Sequence, residues 1–205
     1  MSQRQFVWGL SNGVTVFAIA GAFWLGLGIA TVTTKAGWLV FILSTALQVG
    51  VCATLLWAAI RLRRKSGFRT SELRQSDGGR TPEIRRILSG FCWTVAWQTA
   101  LIGLAVWVCV RTDAKQMIWP AIALVVSLHL VPLARIFHVR AYYATAAAGS
   151  VVSLAAFAWG TGSYVVASLA GAMAIVMWVS ALYLLWNADT IAAHAVGERW
   201  TIEPR

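Results

Sequence analysis

SYVVASLAGAMAIVMWVSALYLLW, residues 163–186, runs for 24 positions without a charged side chain. A helix of that length that faced water would need a continuous polar stripe. At 1.5 Å per residue it is long enough to cross the ~30 Å hydrocarbon core of a bilayer. Reading outward from it, the same pattern recurs at 141–159, 118–137, 88–110, 37–60 and 6–31. The expected fold is therefore all-α: one integral membrane bundle of six transmembrane helices in a single domain, 1–205. A basic loop at 61–86 interrupts it.

Composition excludes the alternatives. Of 205 residues 59% are hydrophobic and 12% charged, and the mean hydropathy is +0.70. A soluble or disordered chain carries about twice that share of charge. Ala18-Ile19-Ala20 has the form of a leader cleavage site. The apolar run continues past it through Phe23-Trp24-Leu25 to Ala30, so it reads as a span.

The net charge of +10, from 17 Lys+Arg against 7 Asp+Glu, is a statement about orientation. With the N-terminus inside, Arg4, the nine basic residues of 61–86, Arg135, Arg140, Arg199 and Arg205 share one face. Lys35, Arg111 and Lys115 occupy the other. Cytoplasmic loops carry the basic excess, so both termini are expected in the cytoplasm. The loop at 61–86 then faces anionic lipid headgroups; nucleic acid is not an expected partner. Within it, Thr81-Pro82-Glu83 has the order of a helix start: N-cap, Pro at the first position, an acid in the first turn. That helix runs on into the third span. Gly160-Thr161-Gly162 separates the last two spans as a turn.

Tryptophans mark the expected interfaces. Trp8, Trp57, Trp93 and Trp186 fall near inner ends, and Trp38, Trp107, Trp119 and Trp159 near outer ends. Trp24, Trp97 and Trp178 lie deeper, where each indole N–H needs a partner or a polar cavity.

Amide and ionisable side chains inside spans are costly and usually face the bundle interior. They are few: Asn12, Gln48, Gln98 and His129. No deep Asp, Glu, Lys or Arg is present, which counts against a proton pump or a carboxylate-coupled antiporter. Counted from inner ends, the four lie within roughly 9–18 Å of that face. The expectation is one Trp-lined cavity open to the cytoplasm, with Arg135, Arg140 and Asp189 near its mouth. Pro132 cannot bond the carbonyl of Leu128, so a kink is expected beside His129.

Enzymatic signatures are absent: no HExxH, P-loop, Ser-His-Asp set or acidic pair occurs with credible placement. No zinc or haem ligand set has usable spacing. No cofactor, metal or catalytic residue is expected. Cys52, Cys92 and Cys109 are odd in number and lie in apolar runs, which reads as buried thiols. Small residues recur at four-residue spacing at Gly9/Gly13, at Ala18, Ala22 and Gly26, at Ala144/Ala148 and at Ala167/Gly171. Such ridges permit close helix contact within a subunit or in a homo-oligomer.

The stretch His129-Leu130-Val131-Pro132-Leu133-Ala134-Arg135-Ile136-Phe137 resembles a family of uncharacterised small bacterial multi-pass membrane proteins. Their clearest segment is H-x-x-P-L-A-x-x-F followed by a tyrosine-containing helix, here Tyr142 and Tyr143. The similarity extends upstream through Trp97-Gln98 and Trp119-Pro120. It implies a bacterial inner-membrane protein and draws attention to His129, Pro132, Arg135 and Tyr142. In helix number, length and an Ala18-x-x-x-Ala22 element, the chain is also similar to the substrate-capturing subunits of energy-coupling-factor vitamin transporters.

The function expected from these residues is non-enzymatic: binding or passage of a small neutral or amphipathic molecule. Asn12, Gln48, Trp97, Gln98, His129, Pro132, Arg135 and Tyr142 are the candidate ligand contacts. Two alternatives stay open. One is a membrane enzyme acting on a lipid-like substrate with His129 as base. The other is an oligomeric pore or a structural or assembly protein. The apolar outer halves of the spans count against a pore.

Overall fold

The computed structural model describes residues 3–65, 82–137, 139–160, 162–191 and 193, the side chains of 3–6, 8, 32–41, 65 and 82–88 excepted. The basic loop lies largely outside the described residues, between 66 and 81. Every regular element described is helical. They are α1 (Gln3–Lys65), α2 (Pro82–Arg111), a 3-10 turn (Lys115–Met117), α3 (Ile118–Leu128), α4 (Leu130–Phe137), α5 (Ala141–Ala158) and α6 (Ser163–Trp186). Among the described residues, six stretches are long and apolar enough to cross a membrane: Gly9–Thr31, Ile42–Arg64, Ser89–Arg111, Lys115–Phe137, Ala141–Ala158 and Ser163–Trp186. The chain is a six-span, multi-pass membrane protein.

From Pro82, the first residue described after 65, α2 continues without a break to Arg111; the Thr81 cap expected before it lies outside the described residues. Two boundaries follow from local chemistry. The turn after α5 has Gly160 at φ +93° and Gly162 at φ +147°, values that favour glycine because it lacks a Cβ. The fourth span is split at His129 into α3 and α4. Pro132, three residues on, supplies no N–H to the preceding turn.

α1 differs from the expected pair of separate helices: helical backbone extends through 32–41 as well. Ala22 and Gln48 would be about 39 Å apart in a straight helix. Yet the Gln48 amide donates to the Ala22 carbonyl at 2.7 Å. The element therefore doubles back, and its two spans pack side by side.

The first span packs between the second and the sixth. It runs antiparallel to the sixth: Gly13 lies against Leu184, Gly21 against Trp178, and Gly28 against Ala167 and Ala170. Leu10, Val14, Phe17 and Trp24 on one helix and Ala170, Met173, Ala174 and Ala181 on the other are all buried. Large side chains on one helix interdigitate with small ones on the other, which supplies the close packing that stabilises helices in lipid. The Trp178 indole N–H donates to the Ala18 carbonyl at 3.3 Å. The start of the first span and the end of the last therefore share one end of the bundle.

The small-residue ridges divide accordingly. Gly13, Gly21 and Gly28 make the close contacts toward the fifth and sixth spans, and a Cβ added at Gly26 would lie 3.3 Å from the Gln48 amide nitrogen. A Cβ added at Gly9 or Gly171 would meet nothing within 4 Å. The predicted pairs Gly9/Gly13 and Ala167/Gly171 are thus only half used, because a four-residue repeat does not say which face meets a neighbour.

Beyond the sixth span come the fifth, fourth and third. Thr145 Oγ1 and Ser180 Oγ share a 2.7 Å hydrogen bond between the fifth and sixth spans. Gly149 admits Ser127 of the fourth span and Met173 of the sixth, all at the most buried level of the core. The third span packs on the fourth. Among the described residues, α1 and α2 have no extensive contact. The second and third spans are therefore edges. In each, 11% of the most apolar window is buried, against 33% in each of the other four.

Candidate functional site

The structure does not gather the eight sequence-selected residues into one cavity. Gln48 is spent on the Ala22 carbonyl between the first two spans. Tyr142 is buried between the fifth and first spans, its hydroxyl against Gly13 and its ring edge-on to Phe17 at 5.6 Å. Asn12 is half-buried one residue from Gly13. The other five, Trp97, Gln98, His129, Pro132 and Arg135, belong to the third and fourth spans. Depth along the membrane was readable from residue counting; rotation about each helix axis was not.

Those five cluster at one seam. Gly90 faces Ile136, whose Cδ1 would lie 3.3 Å from an added Cβ. Phe91 meets Phe137 with ring centroids 6.4 Å apart. The two helices are antiparallel, so advancing from Gly90 to Gln98 on one retreats from Ile136 to about His129 on the other. His129 is seven residues, close to two turns, before Ile136 and so shares its face. On the third span, the packed positions Gly90, Thr94, Gln98, Ile102, Ala105, Val106 and Cys109 fall on one side of the helix, and α2 packs against the elements of the fourth span. Gln98 and His129 are therefore level with each other at the seam. Both are ~12–14 Å from the bundle end that holds Phe137.

His129 closes α3. Its Nδ1 lies against the Val126 carbonyl. A carbonyl only accepts, so Nδ1 carries the proton and donates it. In the neutral ring, Nε2 is then left as an acceptor lone pair. The Leu128 carbonyl loses its usual helical donor because residue 132 is proline. The Gln98 side chain is half-buried and has no hydrogen-bond partner among the described residues, although its atoms are not sealed from the surroundings. Three polar groups with spare hydrogen-bonding capacity thus stand at one depth, in a region where lipid tails offer no partner.

Exposed side chains flank the seam. Trp97, Leu128 and Pro132 are exposed on the membrane-facing surface, Trp97 at 53% and Leu128 at 51%. Trp97 stacks edge-on against Trp93 at 5.8 Å. It stands one residue, about 100°, around the helix from Gln98. Trp97 therefore stands on the outer surface beside the seam, whereas a cavity wall was expected. Trp178, the other deep indole with a resolved partner, is a packing residue held by Ala18.

Sequence reasoning had marked the Leu128 carbonyl, because Pro132 four residues later cannot bond it. It missed Trp57 and Trp107 as partners of arginine: Arg61 lies 5.3 Å over one ring and Arg111 5.6 Å over the other. Both pairs have i, i+4 spacing and sit at the ends of edge spans, where an indole and a cation both favour the membrane interface. Among the described residues no cluster of three His, Cys, Asp or Glu side chains could hold a metal ion. Comparison with protein-family models, with curated proteins and with solved structures gives no match.

Proposed function

We propose that this protein binds an amphipathic, lipid-like molecule that enters from the bilayer between the third and fourth spans. The observation that carries the reading is the Gln98 amide: it lies at membrane depth, lacks a partner among the described residues, and is level with His129. An unsatisfied amide in hydrocarbon is costly, and a ligand hydroxyl, ester or amide would satisfy it. His129 Nε2 and the Leu128 carbonyl accept hydrogen bonds, so a ligand with a hydroxyl or N–H fits all three groups. Trp97, Pro132 and Leu128 offer apolar contact at the entrance.

The same proposal includes the finer attributes that the resemblance at His129–Phe137 implies: a bacterial inner membrane, with the basic face and both termini in the cytoplasm. A second reading, a membrane enzyme acting on a lipid-like substrate, rests on the same Nε2 lone pair, which is placed to take a proton. Passage of the molecule across the bilayer would need a second opening, so binding is the reading preferred here.

Native mass spectrometry of the full chain, released from membranes in mild detergent, tests binding. The expected result is a retained amphiphile whose occupancy falls at least fivefold in Gln98→Leu and in His129→Leu, and is unchanged in Gln48→Leu. Equal retention in all four proteins would overturn the assignment. Loss in Gln48→Leu alone would move the site to the seam between the first and second spans.

A further inference from the structure

The exposed stripe of the fourth span continues from the seam toward the membrane surface. Leu128, Pro132 and Arg135 follow one another at four- and three-residue spacing and are all exposed. They therefore form one line on the helix. Arg135 is in the last turn of α4, six residues and about 9 Å beyond His129. No carboxylate among the described residues pairs with it. The antiparallel pairing of Phe91 with Phe137 brings Trp93 to about the level of Arg135, and Trp93 is 66% exposed. The seam thus has a charged, indole-flanked upper end, a polar level at Gln98 and His129, and an apolar flank at Leu128 and Trp97.

We propose that the ligand class of this seam is a membrane lipid with an anionic headgroup. The headgroup lies at Arg135, the polar linkage faces Gln98 and His129, and an acyl chain lies along Pro132 and Leu128. Charge complementarity supports this: the guanidinium is a fixed cation with a planar donor fork suited to phosphate, at the end of an exposed line whose other members, Leu128 and Pro132, are apolar. The second span is equally exposed and carries Arg61 beyond Trp57. It has a cation at its end, but Gln48, its deep amide, is already bonded to Ala22. It therefore serves as an internal control for lipid contact without a polar seat. This inference rests on the binding reading above and adds the sign of the headgroup.

The test uses the full chain in vesicles of phosphatidylcholine and phosphatidylglycerol in equal amounts. One of the two carries a photoactivatable diazirine in its acyl chain, and labelled peptides are mapped by mass spectrometry. Labelling at 97–101 and 128–135 is expected to exceed labelling at 42–60, and to favour phosphatidylglycerol about fivefold, the effect of one basic residue against an anionic lipid. Arg135→Gln is expected to bring the seam preference near unity without changing that at 42–60, and Arg135→Lys to keep most of it. Equal labelling of the seam by the two lipids would overturn the headgroup assignment and leave the binding reading standing. A seam labelled no more than 42–60 would overturn both. A preference that survives in Arg135→Gln would also overturn the role given to this residue.

Discussion

Gly21→Ala perturbs the contact that joins the first and last spans. A Cβ at position 21 would lie 2.4 Å from Trp178 Nε1, 2.5 Å from Cδ1 and 3.1 Å from Cε2. Carbon atoms in good contact stay about 3.5–4.0 Å apart, so the indole must retreat by roughly 1 Å. Retreat breaks the 3.3 Å bond from Nε1 to the Ala18 carbonyl. Overpacking a close contact costs ~1–3 kcal/mol. The hydrogen bond adds ~0.6 kcal/mol, the average for interhelical bonds in a membrane protein. Against these stands the gain of about 1 kcal/mol that alanine brings to a helix in place of glycine. The net expectation is a loss of roughly 0.5–2.5 kcal/mol, obtained by combining those three terms. Unfolding by denaturing detergent in mixed micelles measures it. Gly171→Ala and Gly103→Ala are the controls, since an added Cβ at either meets nothing within 4 Å. They are expected to be neutral or slightly stabilising. Combining Gly21→Ala with Trp178→Leu should recover about 1 kcal/mol of the penalty, a coupling of the size found between contacting residues. If Gly21→Ala behaves like Gly171→Ala, or the double variant shows no coupling, the antiparallel register of the first and sixth spans is wrong.

Other perturbations test separate contacts. Gly149→Ala places a Cβ 3.1 Å from the Ser127 Cβ and closer still to its hydroxyl, so a loss of about 1–3 kcal/mol is expected. Ser127→Ala should relieve part of it in the same unfolding assay. Gln48→Leu removes the bond to Ala22 and is expected to cost ~0.6 kcal/mol, with an upper limit near 1.7, while lipid retention at the third and fourth spans is unchanged. His129→Phe keeps an aromatic ring but loses both nitrogens, the Nδ1 bonded to Val126 as well as Nε2, so it should lower amphiphile occupancy without lowering the yield of folded protein. Reporter fusions at residues 1 and 205 should give the same cytoplasmic signal, and a reporter after Arg111 the opposite one.

The spans were legible because hydrocarbon imposes a one-dimensional rule: about 20 apolar residues at 1.5 Å each. The turn at Gly160 and Gly162 was legible because glycine acts on the backbone locally. The common depth of Gln98 and His129 followed from the same counting. What counting could not supply was azimuth. Trp97 and Gln98 are adjacent in sequence, but one faces lipid and the other the fourth span. Gly21 and Gly28 matter because Trp178 and Ala170 happen to face them, and nothing in the first span encodes that. Gln48 was grouped with His129 by depth, although its partner is the carbonyl of a neighbouring helix. The proposed seat therefore belongs to one pair of spans, where a single cavity served by four had been expected.

The central claim is that a lipid-like molecule sits between the third and fourth spans. A crystal structure of the full chain grown from a lipid mesophase tests it most directly. The account predicts elongated density beside Leu128 and Pro132, with a polar atom within about 3.2 Å of the Gln98 amide or His129 Nε2, the usual reach of a hydrogen bond. A seam closed by the protein's own side chains, with Gln98 bonded to a neighbouring helix and ordered lipid only along the second span, would contradict it.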